Sequence, residues 1–210
     1  MRNDPNALAT FQAVLHVITG HLPDRTTAVT DLGCSDGQLL SILHGEGYRN
    51  LTGVGFHVSA PPPIKTVTGV DLSVPGWAAQ LPGKQSLALA TDVIEHLCNP
   101  LGFLNECSHI LEPGGLLLLT FPNVHNLRSR IAYMLTGRFS GFFGPNMRPE
   151  MELYDQHIWI PNRHLLRYFL EKSGFETLHV GYVHGPGVFF SQTTLLLARS
   201  VGVPETVVHP

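Results

Sequence analysis

The sequence predicts an α/β protein with a mostly parallel seven-stranded sheet, helices on both faces of that sheet, and an antiparallel hairpin at one edge. Strand-length apolar runs alternate with helical stretches along most of the chain, which is typical of parallel sheets built by right-handed crossovers. The run 116–121 is almost continuously apolar, as expected for a strand buried on both faces. The last two runs follow each other without a helix between them, which indicates the hairpin. The predicted strands are 28–32, 51–58, 64–72, 86–90, 116–121, 175–183 and 193–199.

Helices are predicted from apolar spacing and from capping residues. In the opening segment, 1–24, apolar residues recur at intervals of three and four, which predicts an amphipathic helix with the face Leu8, Phe11, Leu15 and Ile18. Asn99 followed by Pro100 offers an N-cap and a proline at the first helical position. Further helices are expected at 38–43, around 129–135 and before Gly174. We expect residues 1–210 to form a single domain.

Composition argues against several classes of function. Charged residues make up 14% of the 210 residues and the formal net charge is −3, so the clustered Lys and Arg that contact nucleic-acid phosphates are not expected. No run of about 18 apolar residues exists, and the N-terminus lacks a basic start followed by an apolar run. Three scattered cysteines are too few for a disulfide framework or a thiolate zinc site. We therefore expect a cytoplasmic protein that acts on a small molecule or a glycan, with no membrane or nucleic-acid partner.

A glycine-bearing loop follows the first predicted strand and is the expected ligand site, because parallel α/β sheets bind ligands at the carboxyl ends of their strands. The segment 31–37 reads Asp-Leu-Gly-Cys-Ser-Asp-Gly. A dinucleotide fingerprint has three glycines spaced G-x-G-x-x-G, whereas here Ser35 stands between Gly33 and Gly37. An acid at Asp31 would repel a pyrophosphate and attract an ammonium group. The loop therefore favours an amino-acid ligand over a nicotinamide dinucleotide.

The loop resembles motif I of the class I S-adenosylmethionine-dependent methyltransferases. The resemblance continues, in the family's order, in Asp71-Leu72 and in the segments TDVIEHL (91–97), LEPGG (111–115) and TFPN (120–123). His157, followed by a helix that ends at 173–175, is similar to the subfamily that includes the ubiquinone-biosynthesis O-methyltransferases. The match covers roughly residues 25–200. It implies a Rossmann-like three-layer α/β/α sandwich, S-adenosylmethionine as cofactor, and methyl transfer as activity.

The resemblance also implies which residues bind the cofactor. Asp31 and the loop backbone would hold its amino-acid part, Asp71 and Leu72 would flank the adenine, and Thr91 and Asp92 would lie beside the methionine. The complete implied set is Asp31, Gly33, Ser35, Gly37, Gly55, Phe56, Asp71, Leu72, Thr91 and Asp92.

One position departs from the family pattern. The second strand usually ends with an acid that binds both ribose hydroxyls, and Gly55 stands there instead. Loss of such a charge-assisted pair of hydrogen bonds weakens binding by roughly 1.5–3 kcal/mol. His57 or Asp71 are possible substitutes, and a catalytically impaired domain that acts as a binding or regulatory module is the alternative hypothesis.

Histidines in the loops at the cofactor edge are the candidate bases. A base is needed when the methyl acceptor is a hydroxyl that keeps its proton at neutral pH. His96, His125 and His157 are candidates for this role, and a histidine hydrogen-bonded to backbone is the structural alternative for each.

A divalent metal site is a second hypothesis for the same region. Carboxylate and imidazole ligands suit Mg²⁺ or Mn²⁺, and the candidate ligands are Asp92, Glu95, His96 and His157. The pattern resembles the metal site of small-RNA 3′-terminal 2′-O-methyltransferases. Metal-free relatives also have a Glu-His pair here, so both interpretations stay open.

The segment 123–160 is expected to be an insertion that covers the acceptor pocket. Its four arginines lie among aromatic residues, which favours a lid that recognises an anionic or sugar-like acceptor. A solvated helix with an apolar underside formed by Ile131, Met134 and Leu135 explains the same pattern. The arginines and aromatics are Arg128, Arg130, Arg138, Arg148, Tyr133, Phe139, Phe142, Phe143 and Tyr154.

Overall fold

A computed structural model describes residues 5–142 and 156–202 of the protein. Within these ranges the strands are β1 Ala28–Leu32, β2 Asn50–Gly55, β3 Lys65–Thr68, β4 Gln85–Thr91, β5 Leu111–Pro122, β6 Phe175–Val183 and β7 Thr193–Ser200. They form one sheet in the order β3-β2-β1-β4-β5-β7-β6. β7 runs antiparallel to both β5 and β6, and the other neighbouring pairs are parallel. The predicted seven-stranded, mostly parallel sheet with an antiparallel edge pair is confirmed.

The described helices are α1 Pro5–His21, α2 Gln38–Gly45, α3 Pro100–Ile110, α4 Leu127–Thr136, α5 Arg163–Lys172 and α6 Gly187–Phe190, with 3₁₀ turns at Trp77–Gln80 and Ile94–His96. Asparagine side chains begin α3, α4 and α5 by accepting hydrogen bonds from backbone N–H groups of the first turn. The predicted cap at Asn99 is confirmed by its bond from the Gly102 N–H. No helix in the described ranges is long and apolar enough to cross a membrane.

Alternate residues of the central strands belong to two apolar layers, one on each face of the sheet. One layer includes Val14, Ile18, Leu40, Leu43, Leu87 and Leu89. The other includes Trp77, Ala88, Ala90, Phe103, Leu166 and Leu170. Successive residues of β4 thus point to opposite layers, as the pleat of a strand requires. These layers hold α1 and α2 on one face and α3 and α5 on the other, which is the predicted three-layer arrangement.

The region around β2 and β3 differs from the sequence prediction. Both strands are shorter than the predicted runs 51–58 and 64–72. The chain leaves the sheet after Gly55, where the Phe56 carbonyl accepts bonds from the Gly69 N–H and the Thr68 hydroxyl. The connection 56–64 contains no helix, although parallel neighbours usually need a crossover of a dozen or more residues. Three consecutive prolines in it lack the N–H groups that a helix would use.

The buried face of α1 was predicted only in part. Thr10, Val14 and Ile18 are the buried residues, whereas Leu8 is 44% exposed. The polar Thr10 takes a core position because its Oγ1 lies 2.9 Å from Nε2 of His184, a contact across 174 residues. Apolar spacing alone could not reveal such a partner.

Packing at Gly53 on β2 generates a test of the fold. A Cβ at this position would lie 2.4 Å from the Cys34 Sγ and 3.3 Å from the Leu40 Cδ1. Gly53→Ala should therefore lower the free energy of unfolding by about 1–3 kcal/mol, the usual cost of overpacking a core. Urea unfolding of the whole chain measures this difference.

Gly20→Ala is the matched control, because a Cβ there would have no atom within 4 Å and the residue lies inside α1. It should leave stability unchanged or raise it by up to about 1 kcal/mol. Equal effects of the two substitutions would contradict the packing described for Gly53.

Candidate active site

The glycine loop after β1 has left-handed backbone angles, and hydrogen bonds join it to β2 and to the connection after β2. Gly33, Ser35 and Gly37 have φ values of 79°, 50° and 71°. The Gly33 N–H donates to the Val54 carbonyl over 2.7 Å, and the Ser35 carbonyl accepts from the Ser59 N–H over 2.9 Å. A Cβ at Gly33 would approach a methyl group of Val93 to 2.7 Å. Both backbone angle and packing therefore require glycine at this position.

The carboxyl group of Asp31, at the base of this loop, is buried with one of its oxygens unpartnered. The residue is 2% exposed, and its Oδ1 has no hydrogen-bond partner. Burial alone raises the pKa of Asp31 to about 8. A buried carboxylate at a glycine loop fits a ligand that brings a positive charge, so the residues here fit the ammonium group of an amino acid.

The end of β2 has space for a side chain that Gly55 lacks. A Cβ built at Gly55 would meet only ordinary contacts, of 3.6 Å to the Val58 Cγ2 and 3.7 Å to the Gly33 Cα. Its neighbour Phe56 is exposed, and Leu72 is buried beyond β3. The exposed Asp71 accepts a bond from the Ser73 N–H over 2.8 Å.

The turn after β4 places Asp92 in a left-handed conformation, with φ 52°. Its N–H donates to the Thr120 carbonyl over 3.0 Å, and its Oδ1 accepts from the Thr120 hydroxyl over 3.0 Å. Burial raises the pKa of Asp92, while the Thr120 bond opposes that shift. These contacts fasten Asp92, which follows Thr91, to the neighbouring strand β5.

Three of the four predicted metal ligands come together. Ligand atoms of Glu95, His96 and His157 lie within 4.8 Å of one another. Asp92 lies outside this group among the described residues, and its carboxylate is bonded to Thr120 instead. Asp92 and Glu95 nevertheless line one cavity. They do not share a helical turn, because the left-handed backbone at Asp92 precedes a short 3₁₀ turn.

Glu95 anchors this cluster from a fully buried position. Its carbonyl accepts bonds from the N–H groups of Ile158 and Trp159, over 2.9 and 3.0 Å, which brings the neighbouring His157 to the turn. Neither carboxylate oxygen of Glu95 has a hydrogen-bond partner. Burial raises the pKa of Glu95 well above its ordinary value, and Asp92 adds to the shift. Burial lowers the pKa of His157, although Asp92 opposes this.

A cavity of about 280 Å³ opens at this edge of the sheet, beside the acidic turn and the start of α4. Its wall includes Asp92, Glu95, Asn126, Arg128, His157 and Gln192. His125 is not part of that wall. The ring centroids of His125 and His164 lie 6.1 Å apart. Burial lowers the pKa of His125, and the charges of Arg163, Arg130 and His164 lower it further.

The helix within the predicted lid does not bury its apolar side. Ile131, Met134 and Leu135 are exposed, with Met134 at 82% and Leu135 at 76%. The predicted apolar underside is thus wrong for the described part of the chain. Phe143, Arg148 and Tyr154 lie outside the described residues.

His184 is a residue of this edge that the sequence analysis missed. It follows β6 with φ 64°, contacts Thr10 of α1, and contributes to the electrostatic environment of Asp92. The only sequence signal was the turn His-Gly-Pro-Gly at 184–187, which predicts a tight loop without indicating its position.

The sheet order, the glycine loop and the acidic turn after β4 together define a class I methyltransferase fold. The model of a methyltransferase-domain family matches residues 10–180, so the chain belongs to that family. Among curated relatives, a ubiquinone biosynthesis O-methyltransferase of Dechloromonas aromatica is 30% identical over 103 residues, covering 45% of this chain and 44% of the relative. That of Xylella fastidiosa is 26% identical over 132 residues, covering 58% and 50%. The chain spans about half the length of these relatives.

Solved structures are similar in fold. An S-adenosylmethionine-dependent methyltransferase from Archaeoglobus fulgidus superimposes with a TM-score of 0.63 at 15% identity, covering 90% of this chain and 94% of the other. The magnesium protoporphyrin IX methyltransferase of Synechocystis, solved with S-adenosylhomocysteine, gives 0.63 at 19% identity, covering 90% and 81%. The predictions of the family, the fold class and S-adenosylmethionine as cofactor are confirmed.

The unpartnered Asp31 predicts a pH dependence of stability. Because its folded pKa is raised, the group stays protonated in the folded state between about pH 4 and 8 while it ionises in the unfolded state. Stability without ligand should therefore fall with rising pH across this window. Asp31→Asn should remove that loss. The free energy of unfolding of the variant should therefore exceed that of the wild type by a difference that grows by up to about 1.4 kcal/mol per pH unit and levels off above pH 8. Urea unfolding at pH 5, 6.5 and 8 measures it.

Asp71→Asn controls for the loss of a negative charge at the same edge, since Asp71 is exposed. A difference between wild type and Asp31→Asn that stays constant from pH 5 to 8 would contradict the buried, unpaired state of Asp31.

Proposed function

We propose that this chain transfers a methyl group from S-adenosylmethionine to an oxygen atom of a small metabolite or glycan. The observation that carries the proposal is the buried Asp31 carboxylate, unpartnered at Oδ1, beneath a left-handed glycine loop. A carboxylate in that state costs stability unless a cation joins it, and the cofactor has an ammonium group on its amino-acid end.

The remaining cofactor contacts follow from the edge of the sheet. The loop backbone at Gly33, Ser35 and Gly37 would hold the amino-acid end, and Gly55 and Phe56 would face the ribose. Asp71 and Leu72 would flank the adenine. Thr91 and Asp92 would lie beside the methionine, where the negative charge of Asp92 suits a sulfonium.

The chemistry of the cavity suits a hydroxyl acceptor. When bound, the cofactor supplies a methyl group already activated by a sulfonium, so the protein mainly positions the acceptor. His157 lines the cavity beside Asp92, and its lowered pKa leaves it neutral near pH 7. A neutral imidazole can accept the acceptor's proton. His157 is therefore our first candidate for the base, ahead of His96 and His125, which do not line the cavity.

A divalent ion at Glu95, His96 and His157 is a second proposal for the same cluster. Two imidazoles and a carboxylate are a donor set that Mn²⁺ accepts, and the unpartnered oxygens of Glu95 fit a cation. When bound, such an ion would lower the pKa of the acceptor hydroxyl. His157 would then be a ligand rather than the base.

A non-catalytic binding module is the alternative function. It is favoured by one specific observation: β2 ends with Gly55 rather than with the acid expected to bind the ribose. Calorimetric titration of the chain with S-adenosylmethionine, S-adenosylhomocysteine and NAD separates the hypotheses. Methyl transfer requires binding of the first two, and absence of all binding would favour the module.

Restoring an acid at the ribose position should strengthen cofactor binding. Gly55→Asp fits without steric conflict, since a Cβ there meets nothing closer than 3.6 Å. A charge-assisted pair of hydrogen bonds to the ribose should tighten the dissociation constant for S-adenosylhomocysteine by about 10- to 100-fold. Isothermal titration calorimetry measures the change.

Gly55→Ala is the control, because it adds the Cβ without the carboxylate and should bind within about threefold of the wild type. If Gly55→Asp bound no more tightly than Gly55→Ala, the ribose would not lie beside residue 55.

The metal proposal predicts saturable Mn²⁺ binding. Glu95→Gln and His157→Asn should each weaken it at least about tenfold, because each removes one of three ligands. Glu112→Gln, which alters an exposed carboxylate on β5, should leave it unchanged. Calorimetry or electron paramagnetic resonance measures the ion. No saturable binding to the wild type would reject the metal proposal and leave His157 as the base.

A further inference from the structure

Arg128 occupies an unusual position at the start of α4. It lines the cavity that contains Asp92 and Glu95, and it also lines a second cavity of about 460 Å³ between α4 and α6. Its guanidinium makes no hydrogen bond or ion pair with another residue of the described ranges, 5–142 and 156–202. The side chain therefore stands at the junction of two cavities with its donors available.

Arg128 and Arg167 are both exposed, but Arg167 has a carboxylate partner. Its Nε donates to the Glu171 carboxylate over 3.0 Å, one helical turn away in α5. Such an exposed pair at i and i+4 is a common, weakly stabilising contact on a helix surface. Arg128 has no such partner in α4, because positions 124, 131 and 132 are Val, Ile and Ala.

The charges around the cavity are separated. Asp92 and Glu95 lie on one wall, and Arg128 lies on the wall formed by α4. Arg130 and Arg163 lower the pKa of His125, and no described carboxylate opposes that shift. A ligand in this space thus meets carboxyl groups and a guanidinium group in the same cavity.

Guanidinium groups bind carboxylates and phosphates through parallel N–H···O bonds, which neutral groups cannot match. We propose that Arg128 forms an anion subsite and that the methyl acceptor carries a carboxylate or phosphate group in addition to its accepting hydroxyl. The inference rests on the proposed function, whose acceptor cavity it describes in more detail. A volume of about 280 Å³ lies near the lower end for ligand pockets and suits a small acid.

The test compares an anion with its neutral counterpart by nuclear magnetic resonance titration of the whole chain. The probes are benzoate, benzamide and inorganic phosphate at fixed low ionic strength. We expect benzoate and phosphate to bind saturably and more tightly than benzamide. Arg128→Gln should weaken both anions at least fivefold and leave benzamide unchanged. Preference for benzoate over phosphate, or the reverse, distinguishes a carboxylate subsite from a phosphate subsite.

Arg167→Gln is the matched control, because it removes the same charge from an exposed position on another helix, α5, and anion binding should stay within twofold. Equal weakening by the two substitutions, or benzoate that binds no better than benzamide, would overturn the proposal. The readout needs neither cofactor nor methyl transfer. A chain that failed to bind S-adenosylmethionine would therefore refute the proposed function and still give a clear result for Arg128.

Discussion

The burial of one unpaired carboxylate governs the ligand edge of this protein. Asp31 lies in the buried stretch of β1, and the loop that follows this strand adopts left-handed angles. Folding alone gains nothing from this arrangement, because taking a carboxylate out of water without a partner is unfavourable. A bound ligand with a positive charge would offset the free-energy cost of burying this carboxylate, so stability and binding are coupled at Asp31.

Backbone strain is concentrated at the same edge. The described non-glycine residues with positive φ are Ser35, Asp92 and His184, and each follows the carboxyl end of a strand. Such conformations cost of order 1–3 kcal/mol and persist where surrounding contacts determine them. Here those contacts are specific: Ser59 bonds Ser35, Thr120 bonds Asp92, and Thr10 contacts His184. The strained residues therefore surround the place where the ligand is expected.

Local signals predicted most of the fold, and long-range contacts account for the errors. β1, β4 and α3 follow from apolar runs and from the Asn99 cap, which need no distant partner. The early end of β2 at Gly55 escaped prediction because apolar residues continue beyond the point where the chain leaves the sheet. At the candidate site, three of the four predicted metal ligands, Glu95, His96 and His157, lie together. Its departures depend on tertiary contacts: the Thr120 hydroxyl bonds the Asp92 carboxylate, and α1 brings Thr10 to His184.

Packing requires glycine at only one of the two glycine positions of β2. Gly53 is required by packing, since a Cβ would collide with the sulfur of Cys34, whereas Gly55 is not required by any contact. The missing ribose acid is thus not a consequence of how the sheet packs. Loss of that acid would be consistent with a domain that no longer binds a cofactor. Asp31 argues against such a domain, because without a ligand a buried carboxylate with an unpartnered oxygen only destabilises the fold, and a neutral residue would serve the core better.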